Sequence, residues 1–182
     1  NAGSVDTKTT AIFGALDVDM AKDLTLNLGV RFTRETKDFL YNLNGAGALG
    51  IATLVNFRDN RSENKSTPTV GISYAASKDL NLYAKYSTGF KSGGWNADFV
   101  RATQVADGIN FNTETVKSYE AGLKGKALGG RMQYDVSVFT SDFDNYQTFF
   151  FVPLPNGTAI LQLKNAAKVK SEGMEASTKL RV

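Results

Sequence analysis

The sequence predicts an all-β fold, an antiparallel up-and-down meander of about seven long strands. Three observations predict it. Apolar and polar residues alternate at period two through most of the chain. Helical periodicity is nowhere sustained. Turn signals separate the alternating stretches, and the gaps they mark are short and long by turns.

Taken in order, Ile12, Leu16 and Val18 share a face with Gly14 between them, and Phe13, Ala15 and Asp17 take the other. Met20-Ala21-Lys22-Asp23 is a short turn. The cleanest strand follows, with Leu24, Leu26, Leu28, Val30 and Phe32 on one side and Thr25, Asn27, Gly29, Arg31 and Thr33 opposite. From about Tyr41 to Ser66 the pattern dissolves. Asn42, Asn44, Gly45, Gly47 and Gly50 are turn formers, and the charged tract Arg58–Lys65 reads as a solvated loop, of a length that often serves binding. Pro68 fits the start of a strand, where its missing N–H costs least. Val70, Ile72 and Tyr74 alternate with Thr69, Gly71 and Ser73.

A second short turn, Ala76–Asp79, repeats the design of the first: Ala21-Lys22-Asp23-Leu24-Thr25-Leu26 matches Ser77-Lys78-Asp79-Leu80-Asn81-Leu82. Leu80, Leu82, Ala84 and Tyr86 then face away from Asn81, Tyr83, Lys85 and Ser87. A second long loop is expected from Thr88 to Thr113. Tyr119, Ala121 and Leu123 alternate with Ser118, Glu120, Gly122 and Lys124. After a turn at Lys126–Gly130, Met132, Tyr134, Val136 and Val138 open a strand that is expected to continue to Val152. Pro153–Thr158 is a hairpin tip, since Asn156-Gly157 is a strong turn signal. A return strand runs to the C-terminus, its later apolar side Met174, Ala176, Leu180 and Val182.

Composition narrows the function. The chain has 182 residues, enough for one domain. Lys and Arg number 21 against 18 Asp and Glu, a net charge of +3, and the basic residues are scattered, so no nucleic-acid partner is expected. There is no cysteine and no histidine, which removes thiol chemistry and the commonest general base and metal ligand. No apolar run reaches the roughly 18 residues of a membrane helix. Asn1-Ala2 before Gly3-Ser4 reads as a tag-cleavage remnant, and residues 1–6 as a disordered lead-in to an excised piece of a longer protein.

The short and long connections fall at opposite ends of the strands. Outer-membrane barrels are built this way, with short periplasmic turns and long outer loops. Leu24–Arg34 is long enough for the roughly 9–11 residues that a tilted strand needs to cross the bilayer. The meander is therefore expected to be part of a larger transmembrane β-barrel, with Arg31, Lys85, Glu120 and Lys124 pointing into the lumen. Two alternatives remain at this point: a soluble carbohydrate-binding β-sandwich, and a small outer-membrane barrel or adhesin. Loops of mixed length at both ends would mark the sandwich. An even strand count would mark the small barrel.

Four local patterns resemble the barrel of TonB-dependent outer-membrane receptors. They are Leu82-Tyr83-Ala84-Lys85-Tyr86-Ser87-Thr88-Gly89-Phe90-Lys91-Ser92-Gly93-Gly94; Glu114-Thr115-Val116-Lys117-Ser118-Tyr119-Glu120-Ala121-Gly122-Leu123-Lys124; Phe139-Thr140-Ser141-Asp142-Phe143-Asp144-Asn145-Tyr146-Gln147; and Asn165-Ala166 followed by Glu172-Gly173-Met174-Glu175. Their order and spacing also match, although Thr113 stands where the family often has proline. The resemblance implies a parent barrel of about 22 strands around a plug domain. It implies active uptake of scarce ligands such as iron–siderophore complexes, with no catalysis and no cofactor. The chain, residues 1–182, would be about a third of that barrel, without a plug and not competent for transport alone. The implied partners are outer-membrane lipid, the remaining strands and plug of the parent and, through the parent, the energy-coupling TonB protein. Cut out of its barrel, the sheet is expected to self-associate through its open edges and apolar face.

Candidate chemistry is sparse. Lys91-Ser92 echoes a phosphate loop, but Phe90 stands where that motif needs glycine. Asp142 and Asp144 lack the glycine and distal glutamate of a calcium loop. Glu114 and Glu120 sit six residues apart on one face, about 20 Å at ~3.3 Å per residue, too far for a paired acid and base. Asn156-Gly157-Thr158 is a turn rather than a glycosylation site. Side chains expected at the outer end, and so the candidates for touching a ligand, are Trp95, Phe99, Lys91, Arg58, Arg61 and Phe150. Tyr83, Trp95, Phe99 and Phe149-Phe150-Phe151 read as interface girdle or loop packing, and those in outer loops as ligand contacts.

Overall fold

A computed structural model describes residues 2–49, 51–97, 105, 109–153 and 157–181. The chain forms β1 (Ala2–Ala21), β2 (Leu24–Leu43), β3 (Leu54–Ser77), β4 (Leu80–Lys91), β5 (Gly94–Trp95), β6 (Asn110–Phe111), β7 (Glu114–Ala127), β8 (Met132–Pro153) and β9 (Ala159–Leu180). Seven of these make one sheet in the order β1-β2-β3-β4-β7-β8-β9, and β5 pairs with β6 in a separate two-stranded ribbon. Every neighbouring pair in the sheet is antiparallel, so the meander of seven strands is what the alternation predicts.

Register makes the apolar face continuous. Leu26 lies opposite Val18 on β1 and Ile72 on β3. Ile72 lies opposite Ala84, Ala84 opposite Ala121, Ala121 opposite Val138, and Val138 opposite Met174. A slip of one residue at any of these ladders would turn a whole strand's apolar set to the wrong side. This face is open: Ile12 is 72% exposed, Val138 54% and Met174 72%. A sandwich covers its apolar face with a second sheet. Among the described residues nothing covers this one, so the sandwich alternative falls.

The opposite face is polar and bonded to itself. Asn27 donates to Asp17 at 2.8 Å and accepts from the Ser73 hydroxyl at 3.0 Å. Lys85 pairs with Glu120 at 3.3 Å and Lys124 with Asp135 at 3.1 Å. Tyr83 also points to this side rather than to a lipid girdle. Its hydroxyl donates to Glu120 at 2.7 Å, the Lys124 ammonium stands 5.1 Å from the ring, and the ring lies over Gly122, where any side chain would collide with it.

Three expectations need correction. First, the long loop from Tyr41 to Ser66 is mostly strand. β2 runs to Leu43 and β3 begins at Leu54, so Arg58–Lys65 is paired chain: Asp59 lies opposite Phe39, Arg61 opposite Lys37 and Glu63 opposite Glu35. The alternation persists there, but its apolar members are gone. Phe57, Asp59, Arg61 and Glu63 are partly buried while Arg58, Asn60, Ser62 and Asn64 are exposed. Second, residues 2–6 are not a disordered lead-in. They belong to β1, with Ala2 opposite Asn42 and Asp6 opposite Asp38, because β2 is tall enough to template them. Third, Pro68 sits inside β3, not at its start. Its carbonyl accepts from the Thr88 hydroxyl at 3.1 Å, so its missing N–H points to the β4 side, where pairing stops at Thr69–Ser87. No rung of the ladder is lost.

The strands differ in height. The two-residue turns at Lys22-Asp23 and Lys78-Asp79 and the short turn Leu128–Gly130 lie at one end. At the other, β4 and β7 stop at the Lys91–Glu114 pair, while β3 runs on to Leu54 and β8 to Pro153. The result is a notch in the upper rim of the wall, flanked by the tall β2–β3 and β8–β9 hairpins. Of the hairpin tip expected at Pro153–Thr158, residues 154–156 lie outside the described residues; Gly157 has φ +81°, as a turn requires.

Candidate functional site: the notch and its inner ribbon

Segment 92–113 leaves β4 in the notch and returns to β7. It expects partners, because the end of the β4–β7 ladder leaves backbone groups without rungs. The tall neighbours supply them.

On the β2–β3 side, the face that is polar lower down turns aromatic. Phe39, Tyr41 and Leu43 lie on the same side of β2 as Arg31 and Thr33, yet are only 3%, 4% and 2% exposed. The ribbon covers them. The Trp95 ring stacks on Phe39 with centroids 5.0 Å apart and planes 13° apart, and Phe57 meets Phe39 edge-on at 6.2 Å. The indole N–H donates to Asp59 at 2.7 Å, as a buried tryptophan needs. Ile109 and Leu54 complete the buried cluster, with Val105 packed against it. Since Phe39 shares its face with the lumen-side residues, the ribbon lies on the inner surface of the wall.

The neck of the segment is held from both sides. From β3, the Glu63 carboxylate accepts from the Gly93 N–H at 3.2 Å and from the Thr113 hydroxyl, so one side chain ties the outgoing chain to the returning one. Arg61 bonds Glu63 at 2.5 Å and donates to the Phe111 carbonyl at 3.0 Å. Gly93 is required here, since a Cβ would run into the Arg61 guanidinium and the Phe111 carbonyl. From β2, Lys37 donates to the Ser92 hydroxyl at 2.7 Å and the Gly93 carbonyl at 2.9 Å, and pairs with Glu35 at 3.1 Å.

From β8, the Gln147 amide nitrogen faces the carbonyls of Lys91 at 3.3 Å, Ser92 at 3.0 Å and Asn112 at 3.0 Å, while its backbone N–H donates to Glu114 at 2.7 Å. Its cross-strand neighbour on β9, Asn165, accepts from the Asn112 N–H at 2.6 Å and donates to the carbonyls of Asn112 at 2.9 Å and Asn145 at 2.7 Å. Asn145 has φ +55°, a conformation asparagine tolerates. Asn96 meets β9 as a strand would, bonding both the N–H and the carbonyl of Leu163 at 2.9 Å.

Two carboxyls of this junction lie beyond the apolar band. Burial alone would raise Glu63, but the Thr113, Arg61 and Gly93 donors outweigh it and hold the carboxyl below its usual value. Glu35 behaves alike: burial raises it, and Ser92, Lys37 and Thr9 bring it down further than that.

The candidate ligand contacts separate in space. Trp95 and Arg61 are engaged in seating the ribbon. Arg58 is exposed on the other face of β3, opposite Leu40. Lys91 is the exposed last residue of β4, and Phe150, 41% exposed, is near the top of β8. Phe99 lies outside the described residues. Asp142 sits opposite Lys117 and Lys170, and Asp144 is 3.9 Å from Lys168, so these carboxylates have cationic neighbours of their own. Sequence reasoning missed Phe39, Glu63, Lys37 and Asn96. Gln147 and Asn165 stood within the quoted patterns but carried no assigned role. The usable signal was the phase of alternation through Arg58–Lys65, which puts Asp59, Arg61 and Glu63 on the lumen side.

An apolar outer face, a polar inner face and a ribbon folded into the mouth define one wall of a transmembrane β-barrel. The family model described as "TonB dependent receptor-like, beta-barrel" matches residues 1–181, and the chain belongs to that family, a family of bacterial outer-membrane receptors rather than enzymes. It is 30% identical over 112 residues to the metal-pseudopaline receptor CntO of Pseudomonas aeruginosa, a match covering 62% of this chain and 14% of the relative. Its fold is similar to the ferric yersiniabactin uptake receptor FyuA of Yersinia pestis, with TM-score 0.70 and 19% identity over 98% of this chain and 25% of that one. It is also similar to the alcaligin outer-membrane receptor FauA of Bordetella pertussis, with TM-score 0.67 and 23% identity over 99% and 28%. The chain thus spans about a seventh of the curated relative and about a quarter of those structures.

Proposed function

We propose that this chain is one wall of an outer-membrane active-transport receptor that takes up scarce metals as chelates, iron–siderophore complexes in particular. The observation that carries the reading is the inner ribbon, seated on the lumen side of a wall whose other face is made for lipid. Such a wall has its built polar surface inside the mouth, where a ligand would enter. The relatives, receptors for metal-pseudopaline, ferric yersiniabactin and alcaligin, support the chelate class. The plug, the remaining strands and the coupling to TonB belong to the parent protein, and residues 1–182 carry no catalytic step.

The six outer-end residues are proposed in two roles. Lys91 and Phe150, with free surface, contact the ligand directly, along with Phe99; Arg58 contributes positive charge from the outer side of the rim. Trp95 and Arg61 act by shaping the inner surface. The test is radioiron uptake in cells lacking the receptor gene and complemented with it, using a panel of ferric hydroxamate and ferric catecholate chelates. Uptake of at least one chelate that disappears when TonB is deleted is the expected result. No receptor-dependent uptake of any metal chelate would sink the reading.

The same geometry predicts how the isolated chain behaves. β1 and β9 are open edges, and the apolar face is bare, so copies associate in the absence of lipid. Sedimentation as a monomer at every concentration in detergent-free buffer would refute this.

A further inference from the structure

The four stretches that carry the family likeness are distant in sequence but meet at one point. Lys91 and Ser92 come from the first, Glu114 from the second, Asn145 and Gln147 from the third and Asn165 from the fourth. The bonds described above join them directly. Most of their hydrogen-bonding capacity is taken up by the chain itself, although the buried Gln147 Oε1 has no partner among the described residues. The donors of Gln147 go to neck carbonyls, both ends of the Asn165 amide go to Asn112 and Asn145, and both oxygens of Glu63 are occupied by Arg61, Gly93 and Thr113. Gln147 is 6% exposed. These groups satisfy a backbone that has just lost its ladder, and buried backbone groups left unsatisfied are costly.

We propose that Gln147, Asn165 and Glu63 are positioning residues. They hold the neck of segment 92–113 from the two flanking hairpins, so that the ribbon is seated on the inner wall before any ligand arrives. They govern ligand affinity through the ribbon and do not touch the ligand. The statement about affinity rests on the transport reading; the seating does not.

The test is hydrogen exchange on the complete receptor in detergent without ligand, followed by chelate binding with the same ferric panel. In Gln147→Leu and Asn165→Ala, amides of residues 93–97 and 109–113 exchange about tenfold faster, the factor expected when roughly one hydrogen bond's net contribution is lost. Amides of Leu24–Phe32 and Leu80–Tyr86 are unchanged. Where a chelate binds, its dissociation is faster in both variants. Ribbon amides as protected as in the wild type overturn the proposal. So does lost chelate binding with an undisturbed ribbon, which makes these residues ligand contacts. If the wall itself exchanges faster, Glu63→Gln, which keeps the shape and weakens the acceptor, is read by the same two criteria. Faster ribbon exchange in a receptor that binds no chelate leaves the clamp standing and removes the transport reading alone.

Discussion

The lower and upper halves of β2 have the same pleat and no break in phase between Leu24 and Tyr41, yet above Phe32 the outer face turns largely polar, and from Phe39 the inner face turns aromatic. In the lower half, Leu24 to Phe32 point outward and Thr25 to Arg31 point inward. In the upper half, Arg34, Thr36 and Asp38 point outward, while Phe39, Tyr41 and Leu43 point inward and are buried. This shift marks a change of solvent. Hydrocarbon faces the lower outer surface and water the upper one, as a strand rising out of a bilayer requires. Inside, the lower wall keeps polar groups and the upper wall is covered by the ribbon. A strand can therefore read as broken in sequence where only its surroundings have changed.

That contrast can be broken most strongly from within. Phe39→Ala removes a ring that is 3% exposed and stacked on Trp95, at a cost of about 3–5 kcal/mol. The ribbon amides should lose their protection from hydrogen exchange while those of the lower strands keep theirs. Equal loss in both halves would mean the cluster is not local to the ribbon.

On the outer face the two halves should respond oppositely to charge. Leu28→Lys places an ammonium in the lipid band and should cost about 2–4 kcal/mol if near the midplane. Asp38→Lys, exposed on the same face and opposite Asp6, should change stability by no more than about 0.5 kcal/mol. Denaturant unfolding in lipid vesicles measures both, and comparable penalties would contradict the assigned boundary.

The smallest effect is that of acid on the neck. The Glu63 carboxyl is held below its ordinary value of 4.5 in the folded chain. The unfolded chain therefore binds its proton first as pH falls. The carboxyl's contribution is fully present above that ordinary value and is lost as pH drops through the lower folded one. Ribbon exchange should accelerate over that acidic window beyond the intrinsic pH effect, and Glu63→Gln should flatten the response. An identical profile in the variant would assign the pH dependence elsewhere, Glu35 being the nearest candidate.

Legibility followed the same divide. Where one face meets hydrocarbon, alternation is strong, and Leu24–Phe32, Val70–Tyr74 and Leu80–Tyr86 are placed on their correct faces from sequence. Where water bathes the outer face, the pattern of Arg58–Lys65 is polar on both sides and reads as loop, although register with β2 makes it strand. The ligand candidates were chosen for type and height along the chain. Sequence had no means of telling that Arg61 and Trp95 are engaged internally while the side chains of Lys91 and Phe150 are not, because the bonds that seat the ribbon, Trp95 to Asp59 and Arg61 to Phe111, span 36 and 50 residues.

By itself the sequence determined the strand number, the inward and outward faces in the lipid band, the end that carries the long connections, and the family. The strand number, the faces and the loop end follow from local periodicity and turn chemistry, which act between residues close in the chain; the family follows from the resemblance of four motifs in their order and spacing. Only the tertiary structure decided the heights of the strands, the notch they leave, and the use of Glu63, Gln147 and Asn165. Those depend on which backbone groups lose their partners where a ladder ends, and that is fixed by neighbours brought together from distant strands.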